Sequence, residues 1–102
     1  MTDRPTAVFC SCDEAAFGFI AALRREKIRV PEDVSVVGFD DIPLADHYCP
    51  ALTTIRQPHR ELGTTAVRML LERIHDVKAS IPNQLLEGKL IVRESTGRPP
   101  TT

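Results

Sequence analysis

One stretch constrains the fold of this chain more than any other: the run from Val34 to Phe39, which is almost entirely apolar and rich in β-branched residues. Such a run is typical of a strand that is covered on both faces of a parallel sheet. Pro31 precedes it and interrupts any helical pattern, because proline lacks the N–H group that a helix interior requires. The sequence therefore predicts a buried strand over residues 34–39.

A strand and a helix are predicted before this run. Residues 7–10 form a short apolar segment that indicates a buried strand. Apolar residues then recur at helical spacing from Ala16, which predicts a helix over about residues 13–27, with Ser11 or Asp13 as its N-cap. Strand, helix and strand at this spacing predict a βαβ unit, whose strands are parallel and whose functional groups lie at the carboxyl ends of those strands.

Shorter elements are predicted in the rest of the chain. Residues 43–50 begin and end with proline and are expected to contain one helical turn, and residues 52–55 are expected to form a third strand. Residues 84–86 and 89–93 are expected to form two extended arms around a tight turn. Residues 97–102 are expected to be a frayed tail.

The clearest amphipathic pattern predicts a long helix over residues 59–76. Its apolar stripe consists of Leu62, Ala66, Leu70 and Ile74. This spacing is better explained by a core-facing surface than by a cofactor site. A stripe without a partner must fold back, swap between chains or stay exposed, so we expect a dimer or a larger assembly.

Composition and charge exclude several classes of function. The chain has 102 residues and a formal net charge of −1, so it lacks the basic stripe of a nucleic-acid-binding segment. No apolar run approaches the roughly 20 residues that span a bilayer, and the first residues do not resemble a signal peptide. Three cysteines fit a reducing compartment better than a disulfide framework. We expect a cytoplasmic segment of at most one domain, with no membrane contact.

Candidate chemistry lies where the predicted strands end. Asp40 and Asp41 follow residues 34–39, and Asp13 follows residues 7–10. Carboxylates at such positions can accept hydrogen bonds from the hydroxyl groups of a sugar or nucleoside. Aspartates also end strands and cap helices in many proteins, and spacing alone leaves both interpretations open.

Metal binding and catalysis are not favoured. Cys10 and Cys12 are separated by one residue rather than the two to four of zinc knuckles, and Cys10 lies in an apolar strand. Cys12 near a helix start is a conceivable nucleophile, but no histidine and aspartate can be placed beside it in a catalytic arrangement. The sequence also lacks a glycine-rich phosphate loop. We expect no enzyme activity, no metal and no cofactor.

Several motifs occur in a fixed order along the chain. They are Arg4–Cys10, Asp13, Gly18, Arg29–Asp41, Pro50–Pro58, Leu62–Gly63 and Leu90–Thr96. In this order the motifs resemble the end of LacI/GalR-family transcription regulators. The resemblance implies a fragment of a periplasmic-binding-protein-like type I effector core, a Rossmann-like α/β fold with a parallel sheet and flanking helices. It also implies a helix-turn-helix, outside these 102 residues, through which the regulator binds operator DNA.

The resemblance further implies how the chain is divided. Residues 1–58 would be the βαβ portion of the C-terminal subdomain with its hinge strand. Residues 59–77 would be a helix that packs on the N-terminal subdomain, and residues 78–102 a returning arm and tail. A small-molecule cleft lies between the two subdomains of such a core, and this chain supplies only one wall of it, so we expect this chain alone to bind sugar weakly or not at all.

Matching positions imply an effector site. Asp40 matches the aspartate that holds effector hydroxyls, and Asp13 with Cys12 matches a pair that faces the cleft. Gln57 matches a hinge position near the ligand. Cys12 departs from the family pattern, in which many members have asparagine, and a thiol is a poor hydrogen-bond partner for a sugar.

Three apolar side chains are candidates for a dimer interface. Phe17, Ile20 and Tyr48 are either presented outward or part of an ordinary core. Phe17 and Tyr48 match the face through which C-terminal subdomains of the family form dimers. The resemblance thus implies a homodimer or higher oligomer with these three residues at its interface.

The implied function is a cytoplasmic regulator whose core senses a sugar or nucleoside-like effector and transmits this to operator binding. An alternative with the same fold is a soluble sugar-binding receptor of a transport system. A helix-turn-helix in the full-length gene would favour the regulator, and a signal peptide would favour the receptor.

Overall fold

The structure is a computed structural model that describes residues 3–101. Its elements are β1 (Ala7–Phe9), α1 (Asp13–Arg25), β2 (Ser35–Val37), α2 (Leu44–His47), β3 (Thr54–Arg56), α3 (His59–His75) and β4 (Lys89–Ile91). They fall into two compact units. The first unit is the chain up to Arg56 together with the segment from Lys89 onward, and the second unit is Gln57–Gly88. None of the helices described is long and apolar enough to span a membrane.

The predicted βαβ unit is confirmed. β1 and β2 pair in parallel, with Ala7 opposite Ser35, and α1 connects them. A parallel bridge between Val37 and Thr53 continues the pairing on the other side of β2. The expectation that β1 is buried on both faces is wrong, because β1 pairs only with β2 among the described residues and Phe9 is exposed.

The core of the first unit lies between α1, β2 and the segment around α2. It consists of Ala16, Phe17, Ile20, Val34, Val36, Ala45 and Leu52. The outward orientation suggested for Phe17 and Ile20 is wrong, because they are 9% and 2% exposed and belong to this core. Tyr48 is half-buried and its ring stacks on Phe17 with centroids 4.5 Å apart. A dimer interface at these residues stays a prediction.

One expectation for the last part of the chain is wrong, and another needs a correction at its first residue. Residues 84–86 form no strand, and β4 instead pairs antiparallel with β3, with Ile91 opposite Thr54. The first residue of the predicted tail, Gly97, is anchored, because its N–H donates to Ser35 Oγ at 3.0 Å, whereas residues 98–101 are exposed and lie outside any helix or strand. Residue 102 lies outside the described part of the chain.

The second unit contains α3, which matches the predicted helix to within one residue at its end. Thr65 is the one buried residue of α3. The predicted apolar stripe is exposed, with Leu70 58% accessible to solvent. Within this chain the stripe therefore contributes little to a core.

Candidate functional site

The carboxyl ends of β1 and β2 form a polar edge, which we define as residues 10–13 and 38–42. The two segments touch, because the Asp13 N–H donates to Phe39 O at 3.1 Å. Parallel strands place their carboxyl ends at the same edge of a sheet, so this proximity follows from the βαβ connection. The structure thus brings the predicted residues Cys12, Asp13 and Asp40 together. Gln57 is half-buried and belongs to the second unit.

Cys12 is the N-cap of α1, in place of the predicted Ser11 or Asp13. Its Sγ accepts a hydrogen bond from the Ala15 N–H at 3.5 Å. Sulfur is a weak acceptor, and the acidic side chains in the first turn add a favourable interaction with the helix dipole. The Cys12 thiol therefore has a structural role at the edge, whatever else it contacts.

Asp13 is 1% exposed and uses both carboxylate oxygens inside the protein. Oδ1 accepts a hydrogen bond from Thr54 Oγ1 at 2.6 Å, and Oδ2 accepts one from the Ile42 N–H at 2.8 Å. A buried carboxylate requires such partners, because leaving it unpaired costs several kcal/mol. Asp13 thereby ties the start of α1 to β3 and to the segment after β2. Its contact with an effector stays a prediction.

The backbone after β2 is strained. Asp40 has a φ of 120° and Asp41 a φ of 56°, both in the region that favours glycine. Such conformations cost about 1–3 kcal/mol each and persist where neighbours enforce them. Here the Asp40 N–H donates to Ile55 O at 2.8 Å, and the Asp41 N–H donates to Thr54 Oγ1 at 3.3 Å. Strain at an aspartate pair beside a strand end is typical of a functional loop.

The Asp41 carboxylate receives two arginines. Arg56 Nε lies 2.7 Å from Oδ2 and Arg93 Nη1 lies 2.8 Å from Oδ1, while the Asp41 side chain is only 7% exposed. Burial raises the pKa of Asp41, but the hydrogen bonds from Arg93 and Arg56 outweigh it and hold the pKa below its ordinary value. Asp41 is therefore a charged, fixed group at neutral pH.

Neither arginine was predicted as part of the site. Arg56 and Arg93 lie far from Asp41 along the chain, and no periodic pattern links such distant positions. The local signal was an arginine at the end of each of two short extended segments, inside the motifs Pro50–Pro58 and Leu90–Thr96. That signal is weak, because arginines are common at exposed strand ends.

Gly38 allows the end of β2 and the start of α1 to lie close together at the polar edge. A Cβ atom at Gly38 would run into the Asp13 carboxylate and would lie 2.8 Å from Leu52 Cδ2. Only glycine therefore lets the end of β2 approach the start of α1 so closely. Sequence analysis placed Gly38 inside a strand without recognising this role.

The edge offers hydrogen bonding rather than metal coordination. Among residues 3–101, no group of three or more His, Cys, Asp or Glu side chains could hold a metal ion. All three cysteines are free thiols. Burial raises the pKa of Cys10, and the neighbouring Cys12 raises it further, which disfavours a reactive thiolate at Cys10.

Parallel strands joined by a helix, with polar groups at their carboxyl ends, are typical of the ligand-binding edge of an α/β protein. The family model described as periplasmic binding protein-like domain matches residues 1–96. The chain is 43% identical over 95 residues to the HTH-type transcriptional repressor PurR of Photobacterium profundum. That match covers 93% of this chain, which spans only 28% of the length of the relative.

Solved structures agree with this match. A LacI family transcriptional regulator from Enterococcus faecalis with bound ribose has 39% identity and a TM-score of 0.78, over 93% of this chain and 35% of that one. The lac repressor dimer bound to operator and the anti-inducer ONPF has 41% identity and a TM-score of 0.79, over 90% and 32%. The chain belongs to the periplasmic binding protein-like domain family and is an effector-binding segment of the LacI/GalR type.

Proposed function

We propose that this chain is the ligand-sensing core segment of a bacterial LacI-type transcription regulator that binds a sugar or nucleoside-like effector. The observation that carries the proposal is the polar edge, where Asp40 lies on strained backbone beside the buried Asp13. A similar regulator holds ribose in its solved structure, so ribose is the first ligand to test.

Each predicted site residue has a proposed task. Asp40 accepts hydrogen bonds from effector hydroxyls, which suits an ionised carboxylate because it is an acceptor only. Asp13 holds the segment after β2 in place through Ile42. Cys12 contributes a weak contact. Gln57, which belongs to the second unit, keeps the role that the family resemblance implies for it, that of a hinge residue near the ligand.

The proposed regulator works by linkage between two sites. An effector that binds one conformation more tightly shifts the protein towards it, and this shift alters the affinity for operator DNA. Operator DNA would be bound by a part outside these 102 residues, since this segment carries a net charge of −1. In this proposal the segment binds an effector in the cytoplasm and catalyses no reaction. Residues 1–58 form part of the C-terminal subdomain with its hinge strand, residues 59–77 form the helix that packs on the N-terminal subdomain, and residues 78–102 form the returning arm and tail.

The test is calorimetry on the full-length gene product with ribose, other sugars and nucleosides. We expect one of them to bind and Asp40→Asn to weaken its binding about tenfold or more, because a hydrogen bond to a charged group is lost. Asp33→Asn is the matched control, since Asp33 lies before β2 at the opposite end of the strand. Unchanged binding in Asp40→Asn would contradict the proposal. Effector binding without any operator binding would favour a transport receptor.

A dimer is proposed for the full-length protein, because the similar lac repressor structure is a dimer bound to operator. Light scattering of the wild type at micromolar concentration should give the mass of a dimer or larger assembly. Leu70→Lys with Ile74→Lys should lower that mass if the exposed face of α3 takes part. A monomeric wild type would refute this part of the proposal.

A further inference from the structure

Asp41 connects the polar edge to both strands of the second sheet. Its carboxylate contacts Arg56, the last residue of β3, and Arg93, which follows β4. Arg93 is itself held, because its Nη1 also donates to Leu52 O at 2.9 Å and its Nε lies 3.5 Å from Asp46 Oδ1. A largely buried carboxylate with two arginine partners is a rigid attachment point.

We propose that Asp41 is a positioning residue that fixes the backbone of Asp40 for effector binding. The inference rests on the proposed function, in which Asp40 is the contact. Asp41 touches no effector in this scheme. Its ion pairs with Arg56 and Arg93 hold two consecutive residues at positive φ, so that Asp40 is already oriented before the ligand arrives.

Of the two backbone hydrogen bonds of this loop, the one from the Asp40 N–H to Ile55 O is short at 2.8 Å, so the weakly held residue is Asp41. The Asp41 N–H bond to Thr54 Oγ1 is long at 3.3 Å, whereas the carboxylate contacts are 2.7 and 2.8 Å. The two arginines contact different oxygens of Asp41, and an asparagine at position 41 keeps an acceptor at only one of these positions, because its NH2 group is a donor. Asp41→Asn therefore keeps the size of the side chain while releasing one of its two attachments.

The test measures effector affinity in the full-length gene product by calorimetry, using the sugar or nucleoside that binds the wild type. We expect Asp41→Asn to raise Kd about tenfold, as would follow if only about a tenth of the molecules kept the oriented loop. Asp33→Asn is a matched control, because Asp33 also pairs with an arginine, Arg29, but at the other end of β2. It should change Kd less than about twofold.

A double variant separates positioning from general destabilisation. If Asp41 acts through Asp40, Asp41→Asn should lose its effect on Kd when combined with Asp40→Asn, while its effect on the free energy of unfolding remains. Equal weakening in both backgrounds would overturn the proposal. Arg56→Gln removes one attachment from an exposed arginine and should also raise Kd, so it keeps the test available if Asp41→Asn does not fold.

Amide hydrogen exchange provides a measurement that needs no ligand. The Asp40 N–H, bonded to Ile55 O, should exchange several-fold faster in Asp41→Asn and in Arg56→Gln, but not in Asp33→Asn. Unchanged exchange would overturn the positioning role. If no ligand binds, or Asp40→Asn binds normally, the proposed function fails instead, and exchange still decides whether Asp41 orients Asp40.

Discussion

The first unit buries a continuous set of apolar side chains from α1, β2 and their surroundings, whereas α3 in the second unit buries only Thr65. The exposed large apolar residues of α3 are Leu62, Val67, Leu70, Leu71 and Ile74. Burial of apolar surface is the main stabilising contribution in folding. The first unit therefore has a core of its own, and the second unit leaves most of its apolar surface in water.

The first unit also buries polar groups, and these are hydrogen-bonded. In the first unit, Ser95 is completely buried, where its Oγ accepts from the Thr53 N–H at 2.8 Å and donates to Val36 O at 2.6 Å. Across residues 3–101, no buried side-chain nitrogen or oxygen lacks a hydrogen-bond partner. From the difference in burial we expect substitutions in the core of the first unit to lower stability more than substitutions on the exposed face of α3.

The difference in burial predicts that truncating a leucine has a large effect on stability in the first unit and a small one on α3. Leu52→Ala in the first unit should lower the free energy of unfolding by about 2–5 kcal/mol, because Leu52 is fully buried and its truncation leaves a cavity. Leu70→Ala on α3 should change it by less than about 0.5 kcal/mol, since that side chain is already solvated. Urea denaturation of the 102-residue chain measures both. Equal losses of unfolding free energy in the two variants would show that the two units do not differ in burial.

One glycine in each unit gives a second test of the difference in packing. Gly38→Ala should cost about 1–3 kcal/mol, because the new methyl group meets the Asp13 carboxylate and Leu52. Gly63→Ala in α3 should stabilise by up to about 1 kcal/mol, since its Cβ meets nothing within 4 Å and alanine favours a helix. Thermal unfolding measures the sign of each change. Stabilisation by Gly38→Ala would show that the polar edge is not tightly packed.

A smaller effect is expected on the stability of the protein at low pH, through Asp33. Hydrogen bonds from the Arg29 side chain and backbone lower the pKa of Asp33 from 3.8 to about 2. A lowered pKa stabilises the folded state above the unfolded pKa, and this contribution disappears as pH falls towards the folded value. Wild type should thus lose stability relative to Asp33→Asn between about pH 4 and pH 2. If Asp33 does not pair with Arg29, urea denaturation should show the same dependence of stability on pH for the wild type and for Asp33→Asn.

Local patterns predicted several elements correctly. The β-branched run after Pro31 predicted β2, and the four-residue spacing of apolar side chains predicted α3. The aspartates at the polar edge were found because parallel strands end there. The hairpin expected over residues 84–93 was wrong, because β4 finds its partner in β3 and not in its neighbour along the chain.

Local spacing in the sequence predicted β1, α1, β2 and α3 and the carboxylates that follow β1 and β2, because these features depend on residues a few positions apart. It did not predict the pairing of β4. Only the packing of the elements placed Phe17 in the core and brought Arg56 and Arg93 to Asp41. Contacts across many residues depend on how elements pack, and no local spacing records them. The sequence therefore predicts where the aspartate pair after β2 lies, whereas its backbone strain and its arginine partners are visible only in the structure.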